Sequence, residues 1–323
     1  MLYPLKFKPI YKSPLWGGSR ISELPGRKGV PETCGESWEI STVENNISVV
    51  SEGALKGNSL EELIEIYMGE LVGEKIYSEF GLHFPLLVKI IDANSDLSVQ
   101  VHPDDEYAYN NHHSIGKTEM WYVMQAGENS TIINGFNKET TGEEVQDFIN
   151  REKLPEILNT IPARRGDIHF IPSGRVHAIG SGVMLAEIQQ SSDITYRLYD
   201  WGRKDEKGQG RELHIPQALD VLDFSSEYSF HHPVTETNRT VCIAQCDYFT
   251  ANIIDVKEKL ICDYSDLDSF VIIMNTSGKC SIKSPELDYT VLQTGETVLI
   301  PAGFDEIEIV TDSFCTLLEC YIE

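Results

Sequence analysis

Positive charge is scarce in this sequence. Across 323 residues, 26 lysines and arginines stand against 51 aspartates and glutamates, a formal net charge of -25. Nucleic acid and anionic membrane surfaces both require a positive field, so neither is expected as a partner. A small anionic substrate is compatible only if a local cluster of bases overrides the global field. Long apolar runs are missing as well: no stretch reaches the roughly 18 apolar residues of a membrane span. The opening MLYPLKFKPIYKSPLWGG has no charged head followed by a long apolar run, so no secretory leader is read there. Paired cysteines are the third absence. The seven cysteines, Cys34, Cys242, Cys246, Cys262, Cys280, Cys315 and Cys320, form no C-x-x-C pair, and their odd number argues against a disulfide framework. Reduced thiols and a cytoplasmic protein are expected, with Cys242 and Cys246 buried as small hydrophobes.

What is present is enough apolar material for sizeable cores: 41% of residues are hydrophobic. The length exceeds what one core usually supports and points to two domains. Residues 59–80 open with Ser59 and, three positions on, Glu62, the spacing of a capping box, and carry Leu63, Ile66, Leu71 and Ile76 at near-helical intervals. A second helical insertion is expected over 142–160 and a short helix after Pro216. Elsewhere short strands alternate with Gly, Pro, Asn and Asp, the pattern of a mainly β sandwich or barrel.

One strand-and-turn device occurs twice. GDIHFIPSG at 166–174 returns as GETVLIPAG at 295–303, each with glycine, five residues, proline, one residue and glycine. After Gly174 comes His177, whereas Gly303 is followed by Phe304, Asp305, Glu306 and Ile307. The second copy therefore reads as a barrel without a metal site, and HHPVTETN at 231–238 as the junction before it. The expected domains are 1–235 and 236–323.

Strand alternation sorts the polar residues of the first copy. In LSVQVHPDD, Ser98, Gln100 and His102 share one face. In GKTEMWYVM, Lys117, Glu119 and Trp121 do the same. Neutral imidazoles and a carboxylate are ordinary ligands of zinc or a similar divalent ion, so His102, Glu119 and His177 supply three donors, and the Gln100 amide oxygen is a possible fourth. Asp104 and Asp105 are read as turn caps, and Trp16 and Trp38 as core aromatics. Arg164, Arg165, Arg175, Arg203, Lys204 and Arg211 lie close in sequence to the proposed mouth and are the bases available for an anion.

Gln-x-His, then Glu, then G-x5-P-x-G-x2-H is the two-part signature of the cupin barrel. Together with LWGG at 15–18, GESWEIS at 35–41, GKTEMWYV at 116–123 and AEIQQSSDITYRLYDWGR at 186–203, the chain resembles the type I mannose-6-phosphate isomerases (phosphomannose isomerases) in their shorter bacterial form. That resemblance implies two cupin jelly-roll barrels, the second degenerate. It implies one zinc ion per chain on Gln100, His102, Glu119 and His177, with Arg197, Lys117 and Asp193 as catalytic positions. The implied reaction interconverts mannose 6-phosphate and fructose 6-phosphate through an enediolate, and a phosphorylated hexose is the implied partner. Alternation over 193–199 puts Asp193 and Arg197 on one strand face, so both are expected to look into the barrel, with Asp193 the first candidate for the base. Whether Arg197 stabilises the enediolate or clamps the phosphate stays open, as does oligomeric state. The rival reading is a sugar-binding or regulatory metal cupin without catalysis; an iron oxygenase would more naturally carry His-x-His than Gln-x-His.

Overall fold

A computed structural model of the chain describes residues 2–204, 207–284 and 287–323. Its strands are antiparallel, and the period-two alternation of the sequence becomes two faces with different jobs. Ile10–Lys12, Glu36–Ile40, Leu86–Asp92, Met184–Gln190, Glu119–Gln125, Ile168–Ile171 and Ser229–His231 form a seven-stranded sheet in that spatial order. Tyr196–Tyr199, Val99–Val101, His177–Ile179, Thr131–Phe136 and Leu158–Pro162 form a five-stranded sheet. Ile91, Trp121, Ile171 and Leu185 of the first meet Ile132 and Ile179 of the second in one dry core, so the two sheets close on each other as a jelly roll.

The outer face of the five-stranded sheet, with Val99, Val101 and Leu198, is covered by Val145 and Ala218 from the helices Gly142–Asn150 and Ile215–Val221. The outer face of the seven-stranded sheet packs on a third sheet. That sheet is a single six-stranded one, built around the long strands Thr250–Asp263, Val271–Ser284 and Glu306–Tyr321. Register shifts interrupt all three of these strands, and bulges bend strands. The two ends of each strand therefore reach one core: Ile254 with Cys262, Ile273 with Ile282, and Ile309 with Leu317. Between this sheet and the first barrel lies the largest core, shared by residues from both halves of the chain, among them Leu5, Leu63, Phe84, Phe249, Phe270 and Leu299. Phe84 and Phe270 sit with ring centroids 4.4 Å apart across it.

Helix expectations are met with corrections. Ser59 caps its helix reciprocally with Glu62, but the stretch breaks at Met68 and Gly73, both at positive φ, into Leu60–Tyr67, Gly69–Val72 and Glu74–Phe80. The second insertion is helical only over Gly142–Asn150. A 3-10 turn at Leu154–Ile157 follows, and 158–162 is an edge strand, because Ile161 and its neighbours pair with Thr131–Phe136 rather than continuing a helix. Among the described residues, no helix is long and apolar enough to cross a membrane. All seven cysteines are free thiols, yet Cys242 is exposed and Cys246 half-buried, against the expectation that both would be core residues.

The repeated device is used for different ends. Gly166 and Gly295 both take positive φ, 91° and 87°, to enter their strands. In the first copy, the Gly174 amide then donates to the His102 carbonyl at 2.8 Å and carries the turn toward the barrel interior. In the second, the amides of Ala302 and Gly303 donate to the Leu71 and Glu70 carbonyls, so the helical insertion caps that turn.

The LWGG and GES segments are locked by close backbone approach. A Cβ on Gly17 would lie 2.6 Å from the Gly35 nitrogen, and one on Gly18 would lie 2.2 Å from an Asp92 carboxylate oxygen. Gly17→Ala must push backbone against backbone, and overpacking of this kind costs roughly 1–3 kcal/mol. Urea unfolding should show that loss, and an unchanged midpoint would contradict the close approach.

Candidate metal centre

The barrel interior is organised by cross-strand register, since directly paired residues share a face. On the five-stranded sheet, Arg197 pairs with Gln100, Gln100 with His177, and His177 with Asn134. Facing them on the seven-stranded sheet is a row of Trp38, Lys89, Glu187, Trp121, His169 and Phe230. Two residues along from Trp121 is Glu119, and just past Gln100 is His102.

Glu119 lies between the imidazoles. Its Oε2 is 3.6 Å from His102 Nε2 and its Oε1 is 3.5 Å from His177 Nε2. All three side chains are buried, and one donor atom from each falls within 4.8 Å of the others. Main-chain carbonyls set the imidazoles. Nδ1 of His102 lies 2.8 Å from the Ile194 oxygen, and Nδ1 of His177 lies 2.8 Å from the Arg175 oxygen. Each Nδ1–H is therefore the donor, which leaves both Nε2 lone pairs pointing at the carboxylate. The Gln100 amide sits 3.3 Å from His177 Nε2, and Ser98 holds its other end. Either end of a side-chain amide can be turned to face the lone pairs, so Gln100 is able to present oxygen.

Burial decides the protonation of this cluster. Burial first, then the Lys117 ammonium, holds both histidines below the ordinary imidazole range, His177 at about 3. Among the protein's own groups, burial pushes the Glu119 carboxyl up to about 7, although Lys117 pulls it the other way. Lys117 is itself buried and donates to Glu119 Oε2 and, at 3.0 Å, to His102 Nε2. Glu119 Oε1 is buried without a hydrogen-bond partner. Two neutral imidazoles and an orphaned carboxylate oxygen in a dry pocket are the donor set of a catalytic zinc or a comparable divalent ion.

Of the residues expected at the site, Gln100, His102, Lys117, Glu119, His177 and Arg197 come together. Asp193 does not. The strand that was to carry it begins at Tyr196, and Asp193 is exposed on the irregular segment before it, with no ion pair to Arg197. What this segment gives the site is the Ile194 carbonyl. The Arg197 guanidinium is held instead by Ser98, with Nε donating at 3.2 Å, and by the Glu212 carbonyl. Arg203 and Arg211 converge on Asp200, close enough for all three charges to be felt at Arg197. Three of the other sequence candidates go elsewhere: Arg164 lines a separate cavity with His232, Arg165 faces Tyr122 on the outer side, and Arg175 pairs with Asp223. Lys204 is exposed. Asp104 caps the helix Asp105–His112, as expected of HPDD, and Trp16 and Trp38 are buried.

Reading the sequence missed Lys89 and Glu187. Lys89 is buried 3.0 Å from Glu187 Oε1, and Glu187 Oε2 accepts from Trp121 Nε1 at 2.8 Å. Burial works against the Glu187 charge, but Lys89 and Lys117 outweigh it and hold the carboxyl at about 2. The signal was available: LLVKIID has one charge in an otherwise apolar strand interior, and Glu187 and Gln189 alternate with Ala186 and Ile188.

Comparison with known proteins agrees with this geometry. A family model described as phosphomannose isomerase type I, catalytic domain, matches residues 5–141. Mannose-6-phosphate isomerase ManA of Bacillus subtilis is 37% identical over 314 residues, 95% of each chain. The chain belongs to the type I phosphomannose isomerases. A mannose-6-phosphate isomerase of Streptococcus mutans is 45% identical over 69% of this chain and 68% of its own. The crystal structure of the mannose 6-phosphate isomerase from Bacillus subtilis superposes with a TM-score of 0.85 at 30% identity, covering 99% of this chain and 100% of that one. The two-barrel architecture is thus the phosphomannose isomerase fold.

The opposite shifts of Glu119 and the histidines give this member of the family a specific proton balance. A divalent ion displaces protons from its ligands. Below pH 7 the carboxyl at about 7 carries a proton while the imidazoles, at about 3 for His177, do not. At about pH 6, metal binding should release close to one proton per ion, measured by titration calorimetry in buffers of different ionisation enthalpy. Release of two or three would contradict this assignment.

Proposed function

We propose that this chain interconverts mannose 6-phosphate and fructose 6-phosphate on one zinc ion held by Gln100, His102, Glu119 and His177. The observation that carries the metal reading is the unpartnered, buried Glu119 Oε1 between two imidazoles whose Nδ1–H groups are tied to main-chain oxygens, so that both Nε2 lone pairs face the carboxylate. Among the described residues, this is also the one cluster of histidine, cysteine and carboxylate donors close enough to hold an ion. Seven free thiols suit a reducing compartment, and we place the enzyme in the cytoplasm.

The reaction moves one proton from C2 of the aldose to C1, while O2 loses a proton and O1 gains one. Negative charge grows on the two oxygens as the C2 proton leaves. Zinc bound at such a site supplies a Lewis acid that polarises a carbonyl oxygen. Lys117 adds positive charge beside the donors. Arg197, in register with Gln100, places a planar guanidinium over the same end of the barrel. Its fork suits either the enediolate oxygens or the phosphate. Arg203 and Arg211 answer the condition set by the global charge, because with Arg197 they leave a local positive excess over Asp200.

For the proton itself, the geometry favours Glu187 over Asp193. Glu187 is inside the barrel, ionised, and fixed by Trp121 and Lys89. Its basicity is low, so it accepts a proton only from a carbon already acidified by its polarised carbonyl. The buried Lys89–Glu187 pair also speaks against a passive sugar-binding module. Burying an ion pair is costly, and binding alone gives no return for it.

A coupled assay of fructose 6-phosphate formation tests this. His177→Ala should lose metal and activity together. Arg197→Ala should keep metal and lose about a hundred-fold in kcat, the scale of one preorganised charge-stabilising group. Glu187→Gln should fall similarly, while Asp193→Asn stays within a few-fold of the unmodified enzyme. Isomerase activity in metal-free His177→Ala would refute the mechanism.

A further inference from the structure

The C-terminal sheet is tied through one hydroxyl to the segment that follows His102 in the first barrel. Its first two strands, Thr240–Gln245 and Thr250–Asp263, are joined by a tight turn in which the Cys246 amide donates to the Phe249 carbonyl at 3.1 Å. Tyr248 sits in that turn. Its ring packs on the core shared between the two halves, and its hydroxyl donates to Asp105 Oδ2 at 2.9 Å.

Asp105 is a junction. Its Oδ1 accepts from the Gly116 amide at 2.7 Å and from Gln190 Nε2 at 2.9 Å. Gln190 in turn accepts the Thr118 amide through Oε1 at 2.8 Å. The Lys117 amide donates to the Pro103 carbonyl, and a Cβ on Gly116 would come within 2.7 Å of the Asp105 nitrogen, so the two segments touch backbone to backbone. One carboxylate thus ties the loop that carries His102 to the strand entry that carries Lys117 and Glu119. Through Gln190 it also reaches the strand that carries Glu187.

We propose that Tyr248 and Asp105 are positioning residues for the metal centre, and that the C-terminal barrel serves catalysis by supplying this hydroxyl. The proposal rests on the reading that His102, Glu119 and His177 hold a divalent ion. Three donors on Asp105 fix both of its oxygens. Without the hydroxyl, Oδ2 loses its donor and the carboxylate is held at Oδ1 alone, by Gly116 and Gln190, so the tie between the His102 loop and the Glu119 strand is weakened. The contacts run from Tyr248 through Asp105 to the segments that carry the metal donors, so the effect is expected on metal retention and turnover rather than on substrate affinity.

The test compares Tyr248→Phe, which removes one oxygen and keeps the packed ring, with Asp268→Ala. Asp268 also bridges the two halves, accepting the Glu74 and Lys75 amides, but far in sequence and contact from the site. Zinc-loaded full-length proteins are mixed with a coloured chelator without substrate, and release is followed in time. A group bonded directly to a metal ligand typically contributes about ten-fold or more to metal retention, and the low end of that range is taken for this more distant tie. Tyr248→Phe should release zinc about ten times faster and lose a similar factor in kcat with KM within two-fold, and Asp105→Asn should behave alike. Asp268→Ala should lower the melting temperature and leave the release rate as it was. Release from Tyr248→Phe at the unmodified rate would overturn the proposal, as would equal acceleration in Asp268→Ala. If the unmodified protein takes up no zinc, it is the metal reading that fails.

Discussion

Two hydrogen bonds to main-chain oxygen carry the chemistry of this molecule. By donating Nδ1–H to Ile194 and Arg175, His102 and His177 are fixed in one tautomer and aimed with their Nε2 lone pairs at Glu119. The buried interior then makes the unpartnered Glu119 oxygen costly, which suits the cluster to hold a cation. The local charge follows from the same burial. The imidazoles stay neutral, the carboxyl is pushed up by the protein's own surroundings, and Lys117 is drawn onto the donors.

The layers exist to hold that geometry. The five-stranded sheet brings Gln100, His177 and Arg197 into one row, and the seven-stranded sheet opposes them with Lys89, Glu187 and Trp121. Trp121 stands edge-on to His177 with centroids 5.4 Å apart, so an apolar wall and a ligand are set by a single contact. Behind the seven-stranded sheet, the C-terminal half contributes to the largest core and sends Tyr248 to Asp105. A chain with a large negative charge thereby still gathers bases where an anion is wanted: Arg203 and Arg211 share one carboxylate, and Arg197 lies beside them.

Much of this was legible in the residues. Alternation placed Gln100 with His102 and Lys117 with Glu119, and the glycine-proline-glycine spacing placed His177, because strand period and turn chemistry are local. The capping box at Ser59 was legible for the same reason. Alternation failed at Asp193, where it was extended past the strand end: the strand begins at Tyr196, and period two has no meaning in the irregular segment before it. Helical periodicity failed at 158–162, where pairing with Thr131–Phe136, a long-range contact, overrode the apolar pattern. Lys89 and Glu187 are charges inside strands whose partners lie across the sheet, so only register reveals that they meet. The Tyr248–Asp105 bond spans 143 residues and has no sequence signal at all.

The central claim is that four side chains from distant parts of the chain grip a single cation inside the first barrel. X-ray absorption at the zinc edge of the loaded protein addresses it most directly. The account predicts one zinc per chain with a nitrogen and oxygen shell at about 2.0–2.1 Å and outer-shell scattering from two imidazoles. A sulfur shell at about 2.3 Å, or scattering from fewer than two imidazoles, would contradict it.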